Sequence, residues 1–264
     1  MGKYLVYIKT TQTNPIRSIL DPVKGYFPDI YLKINSKGIR AFEMDNCKHA
    51  LLYLKLNADA FEEFHCPSET LLGVSVLSLS RVFKNMENED VLVLSVEEDN
   101  PNSLIVEIKR EEHSKASRIE LKLMDLPYQK PPSQELIFES IIKMHSSELQ
   151  KLCREFKDYA DNIEIINLGN QLRFRCSNDR LVYERIIGTN EKGIEYVKQE
   201  EPDKIIQGVF KLDYLVEFTK CSNLSKFVHL HLKNNFPLIL KYAVGSLGEI
   251  KLGVSPKLDD DDDE

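Results

Sequence analysis

The chain has 264 residues, of which 42% are hydrophobic and 29% charged, with a formal net charge of −7. That is the make-up of a soluble globular protein, and the length suffices for two domains with separate cores. No apolar run approaches the roughly 20 residues that a bilayer-spanning helix needs. The start "MGKYLVYIKTT" has no signal-peptide layout, and Val6 stands where a myristoylation motif requires Ser or Thr. A soluble intracellular protein that meets no membrane is therefore expected.

In chain order, "YLVYIKT" (4–10) alternates apolar and polar residues as a strand does. Ile16, Ile19, Leu20 and Val23 then share one helical face. Thr13 or Asn14 is available as cap, Pro15 suits the first turn, and Pro22 must shorten or kink the helix. "IYLKINSKGIRAFEMD" (30–45) reads as two strands about a turn at Ser36, Lys37 and Gly38, and "ALLYLKLNA" (50–58) as a third. "LSRVFKNM" (79–86) carries Leu79, Val82, Phe83 and Met86 at helical spacing, with Arg81 and Lys84 on the opposite side. Strands follow at 90–99, 103–110 and 118–124. "DLPYQKPPSQE" (125–135) is polar and contains Pro127, Pro131 and Pro132, which suits an extended linker.

The second half repeats the layout. "LQKLCREF" (149–156) places Leu149, Leu152, Cys153 and Phe156 inward, with Lys151 and Arg154 where Arg81 and Lys84 lay. Strands are expected in 162–177, 180–187, 227–233 and 237–244. A last helix, "KLDYLVEFTK" (211–220), turns Tyr214, Leu215 and Phe218 inward, with Lys211 and Lys220 as its cations. Ile16 to Leu149 is 133 residues and Leu79 to Lys211 is 132, so the chain reads as two halves of one design. The end, Asp259–Asp263 and Glu264, carries six of the acids and reads as a disordered, solvating tail, with a divalent-cation role as the minor alternative. Without it the charge is nearly balanced, which leaves room for a local basic surface.

No catalytic constellation is visible. There is no glycine-rich nucleotide loop and no nucleophile elbow. Cys47, Cys66, Cys153, Cys176 and Cys221 are scattered and odd in number, which argues against a disulfide framework and a zinc site. Cys153 falls on an apolar helix face as a small core residue. His229 and His231 share a strand face with no further ligand nearby, and His65–Cys66 reads as a strand end. The balance favours a binding or scaffold protein with no cofactor.

Several stretches together, "GIRAFEMD" (38–45), "GVSVLSLSRVFKNMENEDVLVLSVEEDN" (73–100), "LKLMDL" (121–126), "SSELQKLCREF" (146–156), "EFTK" (217–220) and "PLILKYAVGSLGEIKLGVSPKLDDDDDE" (237–264), resemble the proliferating cell nuclear antigen family of DNA sliding clamps. The resemblance runs in order over essentially the whole chain. It implies an α+β fold with two similar β-rich clamp domains, outer antiparallel sheets and four short helices lining an inner face. It divides the chain into 1–124, a linker 125–135, 136–258 and the tail 259–264. It further implies a homotrimeric ring around double-stranded DNA, acting in the nucleus or a viral replication compartment. Such a ring serves as processivity factor for DNA polymerase, is placed by a clamp-loader ATPase, and docks ligases and nucleases through short peptide motifs. By matched position, Arg17, Lys24, Arg81, Lys84, Lys151, Arg154, Lys157, Lys211 and Lys220 face DNA, with Glu155, Asp158, Asp213 and Glu217 moderating the attraction. Ile119, Leu121, Val182 and Ile186 fall in the strands that join subunits. Met44, Leu51, Leu126, Tyr128, Pro237 and Pro256 fall at the peptide-docking site.

The sequence departs from the family at three places. Pro131–Pro132–Ser133 replaces two aliphatic residues around a glycine, with Tyr128, Leu136 or Ile137 available to compensate. Gly253 stands where a tyrosine is usual, and Gly169 where a ubiquitin-accepting lysine is usual. These departures point to a divergent eukaryote or a large DNA virus. The competing readings are a heterotrimeric checkpoint-clamp subunit, a viral processivity factor without a ring, a protein-only scaffold, and a metal-dependent nuclease.

Overall fold

The computed structural model describes residues 4–110, 115–129, 131, 136–190 and 193–257. The acidic end at 259–264 and Pro132–Ser133 of the linker lie outside them. The first half runs β1 (Tyr4–Thr10), α1 (Thr13–Val23), β2 (Asp29–Asn35), β3 (Gly38–Met44), β4 (Ala50–Asn57), β5 (Glu63–His65), β6 (Thr70–Ser75), α2 (Val76–Phe83), β7 (Val91–Glu97), β8 (Asn100–Arg110) and β9 (Lys115–Lys122). The second half runs β10 (Ser140–His145), α3 (Ser146–Lys157), β11 (Asn162–Asn167), β12 (Gln171–Ser177), β13 (Val182–Gly188), β14 (Ile194–Gln199), β15 (Ile206–Lys211), α4 (Leu212–Phe218), β16 (Phe227–Leu232), β17 (Leu238–Val244) and β18 (Gly248–Val254). Strand, helix, five strands, helix, three strands thus occurs twice, so β9 is the counterpart of β18 and β4 that of β13.

The described residues form two compact units. One comprises residues 4–44, 52–110, 115–129, 131 and 243–250; the other comprises residues 45–51, 136–190, 193–242 and 251–257. In the first, β5, β1, β7, β8 and β9 form an antiparallel sheet in that order, while β2 pairs with β3 and β6. Val6, Ile8, Leu92 and Val96 share one face of that sheet and are buried, as are Phe27 and Phe83. In the second, β10 pairs with β14 and β16, and β16 with β17, while β13, β12, β11 and β15 form a four-stranded sheet. Its core holds Ile142, Phe156, Phe174, Phe218 and Tyr242, all fully buried.

Each helix packs an apolar face on its own unit, and the two helices of a unit pack together. Leu149, Leu152, Cys153 and Phe156 are buried as the periodicity predicts, and burial pushes the Cys153 thiol up to about 12. α1, α2 and α3 start earlier than their periodic stretches suggest. α2 begins at Val76, where the Ser75 hydroxyl accepts from the Ser78 N–H and the Val76 N–H donates to the Pro28 carbonyl at 2.8 Å. Met86 is buried, but from the turn after the helix, its N–H donating to the Phe83 carbonyl at 3.1 Å. α1 begins at Thr13 behind Gln12, without a side-chain cap, because the Thr13 hydroxyl donates to the Glu87 carbonyl instead. α4 stops at Phe218 and continues as a 3₁₀ turn over Thr219–Asn223. The Thr219 hydroxyl donates to the Leu215 carbonyl at 2.7 Å, drawing the end of the helix onto itself.

Candidate nucleic-acid interface, subunit edges and docking surface

The nine sequence-selected cations fall into distinct environments. Arg81 and Lys84 in α2 and its C-cap, and Lys151 and Arg154 in α3, are exposed. None has a carboxylate partner among the described residues. Their positions follow from the helical repeat, which turns them away from buried Leu79 and Phe83, and from Leu149, Leu152 and Phe156. The other helix cations are half-buried and engaged. Arg17 donates to the Met86 carbonyl at 2.6 Å and to Asn14 Oδ1 at 3.1 Å. Lys24 pairs with Asp21 at 2.8 Å, and Lys220 with Glu217 at 2.5 Å. Lys157 lies between Asp161 at 2.7 Å and Asp213 at 2.9 Å; hydrogen bonds to these two carboxylates raise its pKa. A contact carboxylate cancels most of an ammonium's field at a distance, so Arg81, Lys84, Lys151 and Arg154 keep a charge that Lys24, Lys157 and Lys220 largely spend on their neighbours. Lys211, at the N-cap of α4, is exposed and lines a cavity with Lys48, His49 and Lys257.

The acids named with these cations are largely spent locally. Glu155 accepts from Arg185 at 3.0 Å and from the Tyr183 hydroxyl, Asp213 holds Lys157, and Glu217 holds Lys220; Asp158 is exposed.

Among the described residues, β9 pairs only with β8 and β13 only with β12, so each ends its sheet. Along β13, half-buried Tyr183 and Arg185 turn toward Glu155 of α3. Period-2 alternation then turns Val182 and Ile186 the other way, leaving them 61% and 47% exposed. Ile119 and Leu121 of β9 are half-buried.

The residues assigned to peptide docking are placed unit by unit. In the first unit, Met44 and Leu126 are half-buried, and exposed Tyr128 lies edge-on to Tyr31 with ring centres 6.1 Å apart. The Tyr31 hydroxyl accepts from the Leu126 N–H at 2.8 Å, fixing the start of the linker. In the second unit, Leu51, Pro237 and Pro256 are half-buried, while Leu136 and Ile137 are exposed. Gly253 is buried, and a Cβ there would lie 2.7 Å from Leu51 Cγ and 2.8 Å from Ile239 Cδ1. Aliphatic side chains thus close the volume into which a larger residue at 253 would first extend. Gly169 has φ +84°, and a Cβ would meet the Pro202 carbonyl oxygen at 2.0 Å, so this position excludes a lysine in the present backbone.

Among the described residues, no three His, Cys, Asp or Glu side chains are grouped to hold a metal ion. His231 packs edge-on against Phe138, and burial followed by the charges of Lys241 and Lys143 lowers the pKa of His229. His65 ends β5.

Residues 6–130 match the family model described as proliferating cell nuclear antigen, N-terminal domain, and residues 133–257 match that described as its C-terminal domain. The chain is 30% identical over 258 residues to a probable DNA polymerase sliding clamp 1 of Paramecium bursaria Chlorella virus 1, covering 96% of this chain and 97% of that protein. It is 28% identical over 260 residues to the proliferating cell nuclear antigen of Chaetomium thermophilum, covering 95% and 97%. The fold is similar to the crystal structure of the proliferating cellular nuclear antigen from Entamoeba histolytica, with a TM-score of 0.86 at 23% identity, over 97% of this chain and 100% of the other. Two domain matches in order, spanning nearly the whole length, show that the chain belongs to the proliferating cell nuclear antigen family of DNA sliding clamps.

Proposed function

We propose that this chain assembles as a homotrimeric ring around duplex DNA, without catalysis of its own. There it serves as a processivity factor for DNA polymerase and a platform for other replication and repair proteins. The full-length family match carries this reading. Its site of action is a nucleus or a viral replication compartment, a reading supported by relatives from a fungus and a large virus.

The internal repeat supplies a physical route to ring closure. β4 and β18 run side by side: in the first unit the Asn57 N–H donates to the Leu247 carbonyl, and in the second the Ser255 N–H donates to the His49 carbonyl, both at 2.8 Å. Their repeat counterparts are β13 and β9, each of which ends its sheet among the described residues. Pairing β9 of one chain with β13 of the next would set side by side two strands whose repeat counterparts already neighbour each other. It would also cover edges that otherwise invite aggregation. Arg81, Lys84, Lys151 and Arg154 then supply the DNA-facing charge, with Arg17, Lys24, Lys157 and Lys220 contributing less because each is already engaged. Lysine and arginine contacts to phosphate read no sequence, which suits a ring held by topology.

Solution mass tests assembly: light scattering should give about three times the 30.5 kDa chain. Loading onto nicked circular DNA by a matched ATP-driven loader tests encirclement, since the protein should slide off when the circle is cut open. A persistent monomer, or equal retention on circular and linear DNA, would refute the ring.

A further inference from the structure

The hairpin loop between β3 and β4, the N-cap of α4 and the segment after β18, all in the second unit, line a cavity of about 520 Å³. Its walls include Lys48, His49, Lys211, Tyr214, Pro256 and Lys257. Three lysines meet here from three separate stretches of sequence. Among the described residues, no Asp or Glu lines the cavity and none of the three ammonium groups has a carboxylate partner. Asp45, the acid of the hairpin loop, is only 8% exposed. It accepts from the Tyr214 hydroxyl at 2.9 Å and from the Ala50 N–H at 2.7 Å.

The backbone under these lysines is held. The Lys48 N–H donates to the Asp45 carbonyl at 2.9 Å, with Lys48 itself at φ 58°. The Lys257 N–H donates to the Val209 carbonyl at 2.7 Å, and the Ser255 N–H to His49. Tyr214 and His49 stand edge to face, 6.5 Å apart, and Pro256 adds apolar wall. The result is a fixed hollow with apolar sides and three cations that no carboxylate of the described residues neutralises.

We propose that this cavity receives the carboxylate side chains of an acidic client peptide, next to Pro256 of the docking site. The inference rests on the docking-platform reading above and names the class of peptide. Lysines on three separate backbone segments suit carboxylates spaced along an extended chain. A lone phosphate is better held by donors converging on one point, such as an arginine fork. The assignment also moves Lys211 from the DNA-facing set to the docking set.

The test is fluorescence anisotropy with the full-length protein and two labelled peptides. Both carry one aliphatic and two aromatic anchors; one is flanked by a Glu-Glu pair and its twin by Gln-Gln, with the pair placed before or after the anchors. At low salt the glutamate peptide should bind about tenfold tighter, and the gap should close as salt rises. In the double variant Lys48→Glu/Lys211→Glu the preference should vanish or invert. Equal binding of the two peptides to the unaltered protein would overturn the proposal. Binding of neither would strike the docking-platform reading itself, and the proposal with it. A glutamate preference that arises only after Asp259–Asp263 are changed to Asn would give the cavity to the chain's own acidic end. A variant that loses DNA affinity with its peptide preference intact would make these lysines nucleic-acid contacts. Either result overturns the proposal.

Discussion

Replacing Val182 and Ile186 together by Ser tests the β13 edge as a subunit contact. Complete burial of a branched aliphatic side chain contributes about 1.5–3 kcal/mol. The two residues are 61% and 47% exposed, so together they still hold roughly one full side chain of apolar surface for a partner to cover. The double variant should therefore weaken each subunit contact by about 2 kcal/mol, close to thirtyfold in its dissociation constant. A ring of three such contacts should convert to smaller species at protein concentrations where the unaltered chain remains assembled. Sedimentation velocity across a concentration series reads this directly. Folding should be preserved, because both side chains leave solvent rather than a core, and the far-ultraviolet circular dichroism of the dissociated chains checks it. An unchanged mass distribution over the whole series would refute the assignment of β13 to the contact.

Arg81→Ala with Lys84→Ala should change folding stability by no more than about 0.5 kcal/mol, as both are exposed and unpaired. It should flatten the logarithmic salt dependence of DNA association by about 0.9 for each phosphate that is no longer neutralised; an unchanged slope removes this pair from the interface. Asp90 is almost fully buried, with Arg110 donating to both its oxygens at 2.9 and 3.1 Å, so Asp90→Ala should cost about 2 kcal/mol in urea unfolding at neutral pH. The Arg110 guanidinium holds the Asp90 carboxyl below its ordinary range. Its contribution is therefore complete above about pH 4 and lost as pH falls through the depressed value, so variant and parent should converge in acid. Gly253→Tyr should cost about 1–3 kcal/mol in thermal or urea unfolding, because its Cβ meets Leu51 and Ile239; adding Leu51→Ala should recover part of the stability. Gly169→Lys should cost a similar amount, from positive φ and the Pro202 carbonyl together, measured the same way.

Side-chain period carried most of what could be read in advance. The inward faces of α1, α3 and α4, the repeated layout and most of the strands follow from residues repeating every 3.6 or every 2 positions. Helix beginnings were less legible. β6, β10 and β15 pass directly into α2, α3 and α4 with no intervening residue, and the first residues of those helices donate to carbonyls far along the chain, such as Ser146 to Lys226. Short β5 and the strands β6, β14 and β15 lack a long alternating run, and nothing in their composition sets them apart. The cations were found as a class, but the division between free and engaged was hidden. Lys157 meets Asp213, fifty-six positions onward, and Arg17 meets the carbonyl of Met86. The lysine-lined cavity left no mark in sequence, since Lys48, Lys211 and Lys257 come together only through the fold.

The edge strands β9 and β13 are unlike. β9 is a strand of eight residues closing a five-stranded sheet, and β13 is one of seven closing a four-stranded sheet. A contact between them is head-to-tail, so no two-fold axis relates neighbouring chains. Every copy in a closed circle must then lie the same way up, and its two rims differ in chemistry. Such a circle threaded on a double helix has a front and a back, and whatever binds one rim acquires a fixed heading along the strand being copied.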